Sequence, residues 1–233
     1  TGWGCQVVKA SNAAAAIEGL TARGVAPDVI LADYHLDLGN GLDAIAAVRT
    51  GLSLSVPAVV ITAKNLDRKA AEARAARGIG VITLPENRWG RCDIKTVGLL
   101  ANVLAKQAAK ERGAAEAWLV DEMGLVTEGS STNAWIVDEN GKLRTRDTQA
   151  NILQGITRAA VIALIADEGL ELEERAFSVD EAKRAKEAFY TSASGFVMPA
   201  TSIDGVKIGN GKPGPIATRL RALYLDQANR DAI

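Results

Sequence analysis

The side chains that could do chemistry in this chain of 233 residues are mainly lysines, carboxylates and hydroxyl groups. The chain has one histidine, His35, and two cysteines, Cys5 and Cys92. A structural zinc site needs four ligands of these types, and a two-histidine metal site or a disulfide scaffold needs more of them than the chain has. We therefore expect no metal site, and we interpret His35 as a solvated loop residue rather than a catalytic base.

Lys95 is the first candidate catalytic residue. It ends the segment NRWGRCDIK, which also contains Arg88 and Arg91. A lysine amine forms a Schiff base with an aldehyde only in its neutral form, so burial or neighbouring cations must lower its pKa. Once released, the same amine is placed to move a proton between two carbon atoms. Covalent catalysis and acid–base catalysis would then share one residue.

A second candidate is an anion site at the segment GITR, residues 155–158. Because this segment precedes a predicted helix, the backbone amides of Ile156 and Thr157 should point at an anion, with the helix dipole behind them. The hydroxyl group of Thr157 is also expected to cap that helix. The segment is therefore predicted to bind a phosphate group.

Five motifs from residue 87 onward occur in the order found in a known family. They are NRWGRCDIKTVGLLANVLAKQ, VTEGSSTNAWIV, ILQGITRAAVI, FYTSASGFVMPATSIDG and GKPGPIATRL. Over about Val59–Ile233 the sequence closely resembles the fold-type IV pyridoxal-phosphate enzymes, and within them the D-amino acid (D-alanine) aminotransferases. Several motifs in the expected order are stronger support for a resemblance than any one of them alone.

The resemblance implies transamination, in which an amino group passes from a D-amino acid such as D-alanine to a 2-oxo acid through a Schiff base at Lys95. It implies pyridoxal 5'-phosphate as the cofactor, small-molecule amino acid and 2-oxo acid substrates, and a homodimer. It sets Glu128 against the pyridine nitrogen, where a carboxylate keeps the ring protonated. The other cofactor contacts that it implies fall on Leu153, Ile156, Thr157, Ser192 and Ala193. For Leu153, ordinary core packing is an equal alternative.

Related reactions stay open, because branched-chain L-aminotransferases and aminodeoxychorismate lyase share this fold type. The motifs DIKTVGLL and NVLAKQ favour the D-amino acid group. In that group a small N-terminal domain supplies a phosphate-binding arginine, a tyrosine and an Arg-x-His clamp for the substrate carboxylate, and none of these is recognisable in this sequence. Because such a clamp contributes charge-assisted hydrogen bonds, we expect weak or absent turnover.

A different resemblance covers about Gly2–Ala63. LADYHLDLGNGLDAI resembles the phosphoacceptor loop of response-regulator receiver domains, with Asp33 at the phosphorylated position, and VVITA resembles their later strand. Receiver chemistry needs a magnesium pocket, and the acidic pair and the lysine of that family have no counterpart here. We therefore interpret Asp33 as a vestigial phosphoacceptor in a segment that serves as packing material. A working phosphorelay receiver and a structurally inert fusion are the alternatives.

The two resemblances meet at PAVVITA, so the sequence looks like a chimera. The predicted fold class is α/β, with α+β character in the C-terminal part. A truncated flavodoxin-like segment, residues 1–63, is followed by the large C-terminal domain of the D-amino acid aminotransferase-like fold, residues 64–233. Composition changes at the same place, since residues 64–95 hold eight basic and four acidic side chains whereas residues 1–63 hold three and five.

Alternating strands and helices in the first segment predict parallel strands. These are strands at 5–10, 29–32 and 58–62 and helices at 11–24 and 42–50. In the second segment we predict strands at 80–84, 133–137 and 187–192, a hairpin at 117–125, and helices at 97–112, 157–168, 179–188 and from 213.

Charge and hydropathy set the remaining expectations. The 27 basic and 28 acidic residues nearly cancel, which disfavours binding to nucleic acid or to an anionic membrane. The longest apolar runs, residues 56–63 and 159–166, are far shorter than the roughly 20 residues that a membrane-spanning helix needs. With no signal-peptide pattern at the first residues, we predict a cytoplasmic protein whose cysteines stay as thiols.

Overall fold

The computed structural model describes residues 4–37, 39–62, 67–149 and 152–231. The chain forms two compact units, Thr1–Asn65 and Leu66–Ile233, which we call the N-terminal and the C-terminal unit. The predicted boundary between residues 63 and 64 lies outside the described residues. Of the described helices, none is both long and apolar enough to span a membrane.

The N-terminal unit contains two helices and two strands in alternation. They are α1 (Ala13–Arg23), β1 (Ile30–Asp33), α2 (Gly41–Gly51) and β2 (Ala58–Ile61). The strands pair in parallel, with Ile30 opposite Ala58, which confirms the predicted orientation. Leu20, Ile45 and Val48 form the buried apolar positions of the two helices.

Two local predictions for the N-terminal unit are wrong. Residues 5–10 form no strand, since β1 and β2 pair only with each other among the described strands. The first helix begins after Asn12 rather than Ser11, since the Asn12 side chain accepts the hydrogen bond from the amide of Ala15. Gly24 ends this helix in the left-handed conformation, as expected for a glycine at that position.

The C-terminal unit is a mixed α/β structure, as predicted for the class of this segment. Its helices are α3 (Arg68–Arg77), α4 (Leu100–Glu111), α5 (Ile156–Asp167), α6 (Val179–Arg184) and α7 (Pro215–Asp231). Its strands are β3 (Ile79–Pro85), β4 (Glu116–Val120), β5 (Val126–Gly129), β6 (Asn133–Val137), β7 (Leu143–Thr145), β8 (Leu172–Glu174), β9 (Glu187–Ser192), β10 (Phe196–Ile203) and β11 (Val206–Lys207).

These strands form one sheet in the order β5-β4-β3-β10-β9-β6-β7-β8, and β11 pairs with β10. β3 runs parallel to both of its neighbours, whereas β9 is antiparallel to β10 and β6. Although β5 and β6 are far apart in this order, only residues 130–132 join them, and the amide of Gly129 donates to the carbonyl of Thr132 across 2.6 Å. The sheet therefore curls until β5 and β6 are neighbours.

Aromatic pairs fill two separate apolar clusters of this unit. Trp118 and Phe177 meet edge to face in one cluster, and Trp135 stacks on Phe189 in the other. All four side chains are fully buried. Such burial fixes the strands that carry them, because large aromatic side chains contribute the most apolar area to a core.

The structure differs from the sequence prediction for this unit at several elements. Strands β5, β7, β8, β10 and β11 were not predicted, and the hairpin predicted at 117–125 is wrong in its bounds, because β4 ends at Val120 and β5 begins only at Val126. Helix α3 was not expected, because RKAAEARAAR contains no large apolar residue and has no clear apolar face. The side chain of Asp67 caps its N-terminus. The helix predicted over 179–188 ends at Arg184, since Ala185 takes an extended conformation that leads into β9. The helix predicted from residue 97 begins at Leu100.

Asp204 links the β10–β11 turn to two other elements. Its carboxylate accepts hydrogen bonds from the amide (2.7 Å) and hydroxyl (2.9 Å) of Thr83, and it pairs with Lys183 at 2.8 Å. Burial alone would raise the pKa of Asp204, but the bonds from Lys183 and Thr83 lower it below its usual value. The turn needs a left-handed residue at Asp204, which has a φ of 49°, and asparagine tolerates that conformation well.

We expect Asp204→Asn to lower the free energy of unfolding by about 1–2 kcal/mol at neutral pH, a value reduced for solvent access. Because the folded pKa is lowered, this stabilisation is present above the unfolded pKa of about 3.9 and is lost as the pH falls through the folded value. Urea titrations at neutral pH and below about pH 3 test this, with the exposed Asp226→Asn as the control. A difference between wild type and variant that persists unchanged in acid would contradict it.

Candidate active site

Glu128 lies at the end of β5 and is held by residues from two other segments. Its carboxylate accepts a hydrogen bond from Asn133 Nδ2 at 3.1 Å and a shared one from the amide of Leu153 at 3.3 and 3.4 Å. Asn133 Nδ2 also donates to the carbonyl oxygen of Leu153 at 2.9 Å. Asn133 at the start of β6 therefore joins Glu128 to the segment that precedes α5.

Arg88 is a further partner of Glu128 that the sequence analysis did not predict. Its Nη1 lies 2.5 Å from Glu128 Oε1, and its Nε and Nη2 donate to the two carboxylate oxygens of Glu86 at 2.8 and 2.5 Å. Burial raises the pKa of Glu128 despite the nearby guanidinium. In the less buried Glu86, burial also acts to raise the pKa, but the bonds from Arg88 and Thr127 lower it overall.

The N-terminus of α5 presents backbone amide donors and a buried hydroxyl group. Gly155 is the N-cap and supplies no side-chain cap, so the expectation that the Thr157 hydroxyl caps the helix is wrong. Thr157 is the second residue of the helix and is 2% exposed. Its Oγ1 has no hydrogen-bond partner among the described residues. A buried hydroxyl without a partner is uncommon, and it leaves Thr157 able to bind a polar ligand. Ile156, next to it, is exposed.

Gly155 is required by close packing rather than by backbone conformation. A Cβ atom there would lie 2.2 Å from Asn133 Oδ1, which is too close for any side chain. The contact brings the N-terminus of α5 against the same asparagine that binds Glu128.

Ser192 and Ala193 follow at the end of β9, beside the start of β6. Thr191 lies directly opposite Asn133 in the antiparallel register, so Ser192 comes next to the same end of the sheet. Ser192 Oγ accepts the amide of Gly195 at 2.9 Å, and Arg221 fixes this turn by donating to the carbonyl of Gly195 at 2.8 Å. The structure thus gathers Glu128, Leu153, Ile156, Thr157, Ser192 and Ala193 around one end of β6.

Lys95 lies in the loop between β3 and α4, and its side chain is exposed. Neither burial nor free cations surround it in the C-terminal unit, because Arg91 pairs with Asp93 and Arg88 with the two glutamates. The arrangement expected around Lys95, with burial and unpaired arginines beside it, is therefore not observed. No described residue makes a hydrogen bond or ion pair with its amine.

The loop of Lys95 is nevertheless fixed on both sides to the β5–β6 turn. Seven residues earlier, Arg88 binds Glu128, and seven residues later, Asn102 Nδ2 donates to the carbonyl of Ser130 at 2.8 Å. The two residues that hold the loop, Glu128 and Ser130, are only two positions apart in the sequence. The loop therefore leaves the end of β5 and returns to it. Lys95 is the middle residue of this loop, seven residues from each of its two anchors, Arg88 and Asn102.

Glu116 holds the β5–β6 turn through a hydrogen bond from Ser130. No sequence motif predicted this role. It is fully buried in β4. It accepts hydrogen bonds from Ser130 Oγ at 2.5 Å, from the amide of Ala117 at 2.8 Å, and from Lys106 Nζ of α4 at 2.9 Å. The only sequence signal was a carboxylate at the start of an apolar strand, which by itself does not tell a buried residue from an exposed one.

Asp33 belongs to the N-terminal unit, where it ends β1. Its Oδ1 accepts a hydrogen bond from the amide of His35 at 3.0 Å. In the part of the chain that the structure describes, no group of three or more histidine, cysteine, aspartate or glutamate side chains is arranged to hold a metal ion.

Comparison with known proteins identifies the family of the chain. A model of the amino-transferase class IV family matches residues 35–203. The chain belongs to the amino-transferase class IV family. The match of this class IV chain includes α2, which the sequence analysis assigned to the receiver-like segment alone, and β2, where the two resemblances overlap.

Two curated relatives and one solved structure show how far the similarity of this class IV chain extends. The D-alanine aminotransferase of Bacillus licheniformis is 42% identical over 161 residues, which cover 69% of this chain and 56% of the relative. That of Staphylococcus haemolyticus is 37% identical over 166 residues, covering 71% and 57%. The structure of a branched-chain aminotransferase from Thermoproteus uzoniensis with norvaline aligns with a TM-score of 0.58 and 30% identity over 64% of this chain and 51% of that one. The class IV chain therefore spans little more than half the length of these proteins.

Proposed function

We propose that this class IV chain is a pyridoxal-phosphate-dependent aminotransferase that moves an amino group from a D-amino acid, such as D-alanine, to a 2-oxo acid. The observation that carries the proposal is the cluster around the start of β6, where Asn133 joins the buried carboxylate of Glu128 to the N-terminus of α5. The names of the curated relatives support the D-amino acid substrate.

The residues of this cluster fit the cofactor that the proposal requires. A phosphate group needs hydrogen-bond donors and a positive potential, and the first amides of α5 together with the unpartnered Thr157 hydroxyl offer both. Ser192, at the end of β9, adds a second hydroxyl at the same end of the sheet. A carboxylate such as Glu128 suits the nitrogen of a pyridine ring, and Leu153 would contact the ring. When bound, pyridoxal phosphate withdraws electrons from the substrate Cα and stabilises the carbanion.

In this proposal Lys95 carries the amine that reacts with the cofactor aldehyde and afterwards moves the proton at the substrate Cα. Its side chain is exposed in the C-terminal unit. We expect slow turnover by this chain, because the sequence contains no recognisable Arg-x-His clamp to form charge-assisted hydrogen bonds with the substrate carboxylate.

Incubation of the protein and pyridoxal phosphate with 2-oxoglutarate and either D-alanine or L-alanine tests the reaction. We expect pyruvate from D-alanine only. The principal alternative is a branched-chain L-aminotransferase, which the similarity to the Thermoproteus uzoniensis structure favours. L-Leucine in place of alanine distinguishes the two, since consumption of L-leucine without pyruvate from D-alanine would overturn the proposed substrate. Nothing observed favours the aminodeoxychorismate lyase reaction.

Thr157 allows a prediction that does not depend on turnover. We expect Thr157→Val to raise the dissociation constant for pyridoxal phosphate roughly 10- to 100-fold, because one hydrogen bond to a charged group is lost. The free energy of unfolding of Thr157→Val should not fall below that of the wild type, since the Thr157 hydroxyl makes no hydrogen bond with the described residues. Fluorescence titration measures the affinity, with Thr218→Val, an exposed position on α7, as the control. Equal affinities of Thr157→Val and wild type would contradict the phosphate assignment.

We further propose that the chain forms a homodimer through an apolar face around α4. Five large apolar side chains are exposed there: Val97, Leu99, Leu100, Val103 and Leu104. Contiguous exposed apolar patches of this kind usually mark interfaces. Sedimentation velocity should give a dimer for the wild type and a monomer for Val103→Glu, whereas Lys207→Glu, an exposed position on β11, should stay dimeric. A monomeric wild type at micromolar concentration would refute the proposal.

For the N-terminal unit we propose a partial receiver-like segment in which Asp33 carries no phosphoryl group. The support is the sequence around Asp33 and its position after β1, a strand parallel to β2. Acetyl phosphate with magnesium should leave the wild type unlabelled. Labelling that disappears in Asp33→Asn would instead favour a working receiver.

A further inference from the structure

The Glu86–Arg88–Glu128 triad carries an unbalanced charge. One guanidinium lies between two carboxylates, and the side chains of Glu86, Arg88 and Glu128 are only 20%, 6% and 6% exposed. With both glutamates ionised the triad has a net charge of −1. Such a charge is costly in a largely buried position unless a further cation or proton neutralises it.

The two carboxylates do not share Arg88 equally. Glu86 binds the Nε–Nη2 edge of the guanidinium in a bidentate manner, and it also accepts the amide of Arg88 and the hydroxyl of Thr127. Glu128 receives only Nη1. Glu86 therefore fixes the direction of the guanidinium plane, and Arg88 in turn fixes the position of the Glu128 carboxylate.

Glu128 also keeps capacity for one more donor. The amide of Leu153 lies at 3.3 and 3.4 Å from its two oxygens, which is long for a hydrogen bond, and Asn133 donates to Oε2 alone. An ionised carboxylate has about four lone-pair sites. The group is thus held in place without being saturated.

We propose that Glu86 and Arg88 are positioning residues that aim Glu128 and leave one negative charge in the triad, and that this charge selects a cofactor whose ring nitrogen is cationic. This inference rests on the proposed function, since the cation is the protonated pyridine of pyridoxal phosphate. Glu86 acts through Arg88 and never touches the cofactor. Glu86→Gln removes this charge but keeps one oxygen that can accept from Arg88, so it should weaken the selection while leaving the carboxylate of Glu128 in place.

Binding of pyridoxal phosphate and of its carbocyclic analogue, in which CH replaces the ring nitrogen, tests the proposal. Dissociation constants are measured by fluorescence quenching for the wild type, Glu86→Gln and Arg88→Met, with Glu122→Gln, an exposed glutamate, as the matched control. We expect the wild type to prefer pyridoxal phosphate by about tenfold or more, as one charge-assisted hydrogen bond provides. Glu86→Gln should lose most of that preference with little change in affinity for the analogue.

A second readout needs no cofactor. In protein labelled with ¹³C at the glutamate carboxyl groups, the titration midpoint of Glu128 should rise clearly in Arg88→Met and return towards the wild-type value in Arg88→Lys, which restores the charge. If Arg88→Met fails to fold, as judged by circular dichroism, the comparison of Glu86→Gln with the wild type decides the matter.

The outcomes separate the two hypotheses. A wild type that binds pyridoxal phosphate and its analogue equally well refutes the inference but leaves the proposed function intact. A wild type that binds neither refutes the proposed function, and the inference falls with it. An unchanged preference in folded Glu86→Gln would show that the triad does not set the selection.

Discussion

Lys95→Ala is expected to abolish transamination to within the background of the assay. Loss of the acid–base contribution alone lowers the rate by roughly 10²–10⁴-fold, and loss of the nucleophilic amine adds to it. Borohydride reduction in the presence of pyridoxal phosphate, followed by peptide mass spectrometry, should find the pyridoxyl group on the peptide that contains Lys95 in the wild type and not in the variant.

Lys110→Ala is the matched control for this experiment, because Lys110 is an exposed lysine on α4, close to the same loop in sequence. It should retain both the turnover and the labelled peptide of the wild type. A pyridoxyl group on another lysine of the wild type, or unimpaired turnover of Lys95→Ala, would remove Lys95 from the proposed function.

Glu116→Ala is expected to lower the free energy of unfolding of the C-terminal unit by about 3–5 kcal/mol, the range for removal of one partner of a buried ion pair. The variant leaves Ser130 Oγ and the amide of Ala117 without their acceptor, and it separates Lys106 of α4 from β4. Because Lys106 is half exposed and can regain water, we place the effect at the lower end of the range.

Urea unfolding followed by tryptophan fluorescence measures this loss, since Trp118 and Trp135 are buried in the C-terminal unit. Glu116→Gln keeps one acceptor oxygen and should lose less, about 1–3 kcal/mol. Glu111→Ala, at the exposed end of α4, should stay within about 0.5 kcal/mol of the wild type. Equal unfolding midpoints for Glu116→Ala and Glu111→Ala would show that the β5–β6 turn does not depend on Glu116.

Part of the fold follows from local sequence. Strand β6 was predicted with its observed ends, because NAWIV is a short apolar run with three β-favouring residue types, Trp, Ile and Val, and a turn signal after it. Helix α3 was missed since alanine and arginine give helical propensity without an apolar face, and only packing against its neighbours reveals it. Residues 5–10 were wrongly predicted as a strand because apolar character cannot show whether a partner strand exists.

The same limit applies to the candidate site. The family motifs pointed to Glu128 and Thr157, whose roles stay predictions, and the structure brings both near Asn133. The partner of Arg88 could not be found in this way. From its position in the sequence, Arg88 was expected to act on Lys95, seven residues later. In the structure it forms an ion pair with Glu128, which lies forty residues later. Pairing over that distance is set by the curl of the sheet, and a single sequence carries no record of it.

Two contacts close the Lys95 loop into a ring by non-covalent bonds: Arg88 with Glu128, and Asn102 with Ser130. The closure entropy of such a ring depends only weakly on its size, by about 0.6 kcal/mol for each doubling of the number of residues. Residues can thus be inserted or removed between Arg88 and Asn102 at small thermodynamic expense, provided that both anchors remain. The distance of the lysine from the β5–β6 turn is in this sense adjustable, and the sheet beneath it need not change when the loop is reshaped for a different substrate.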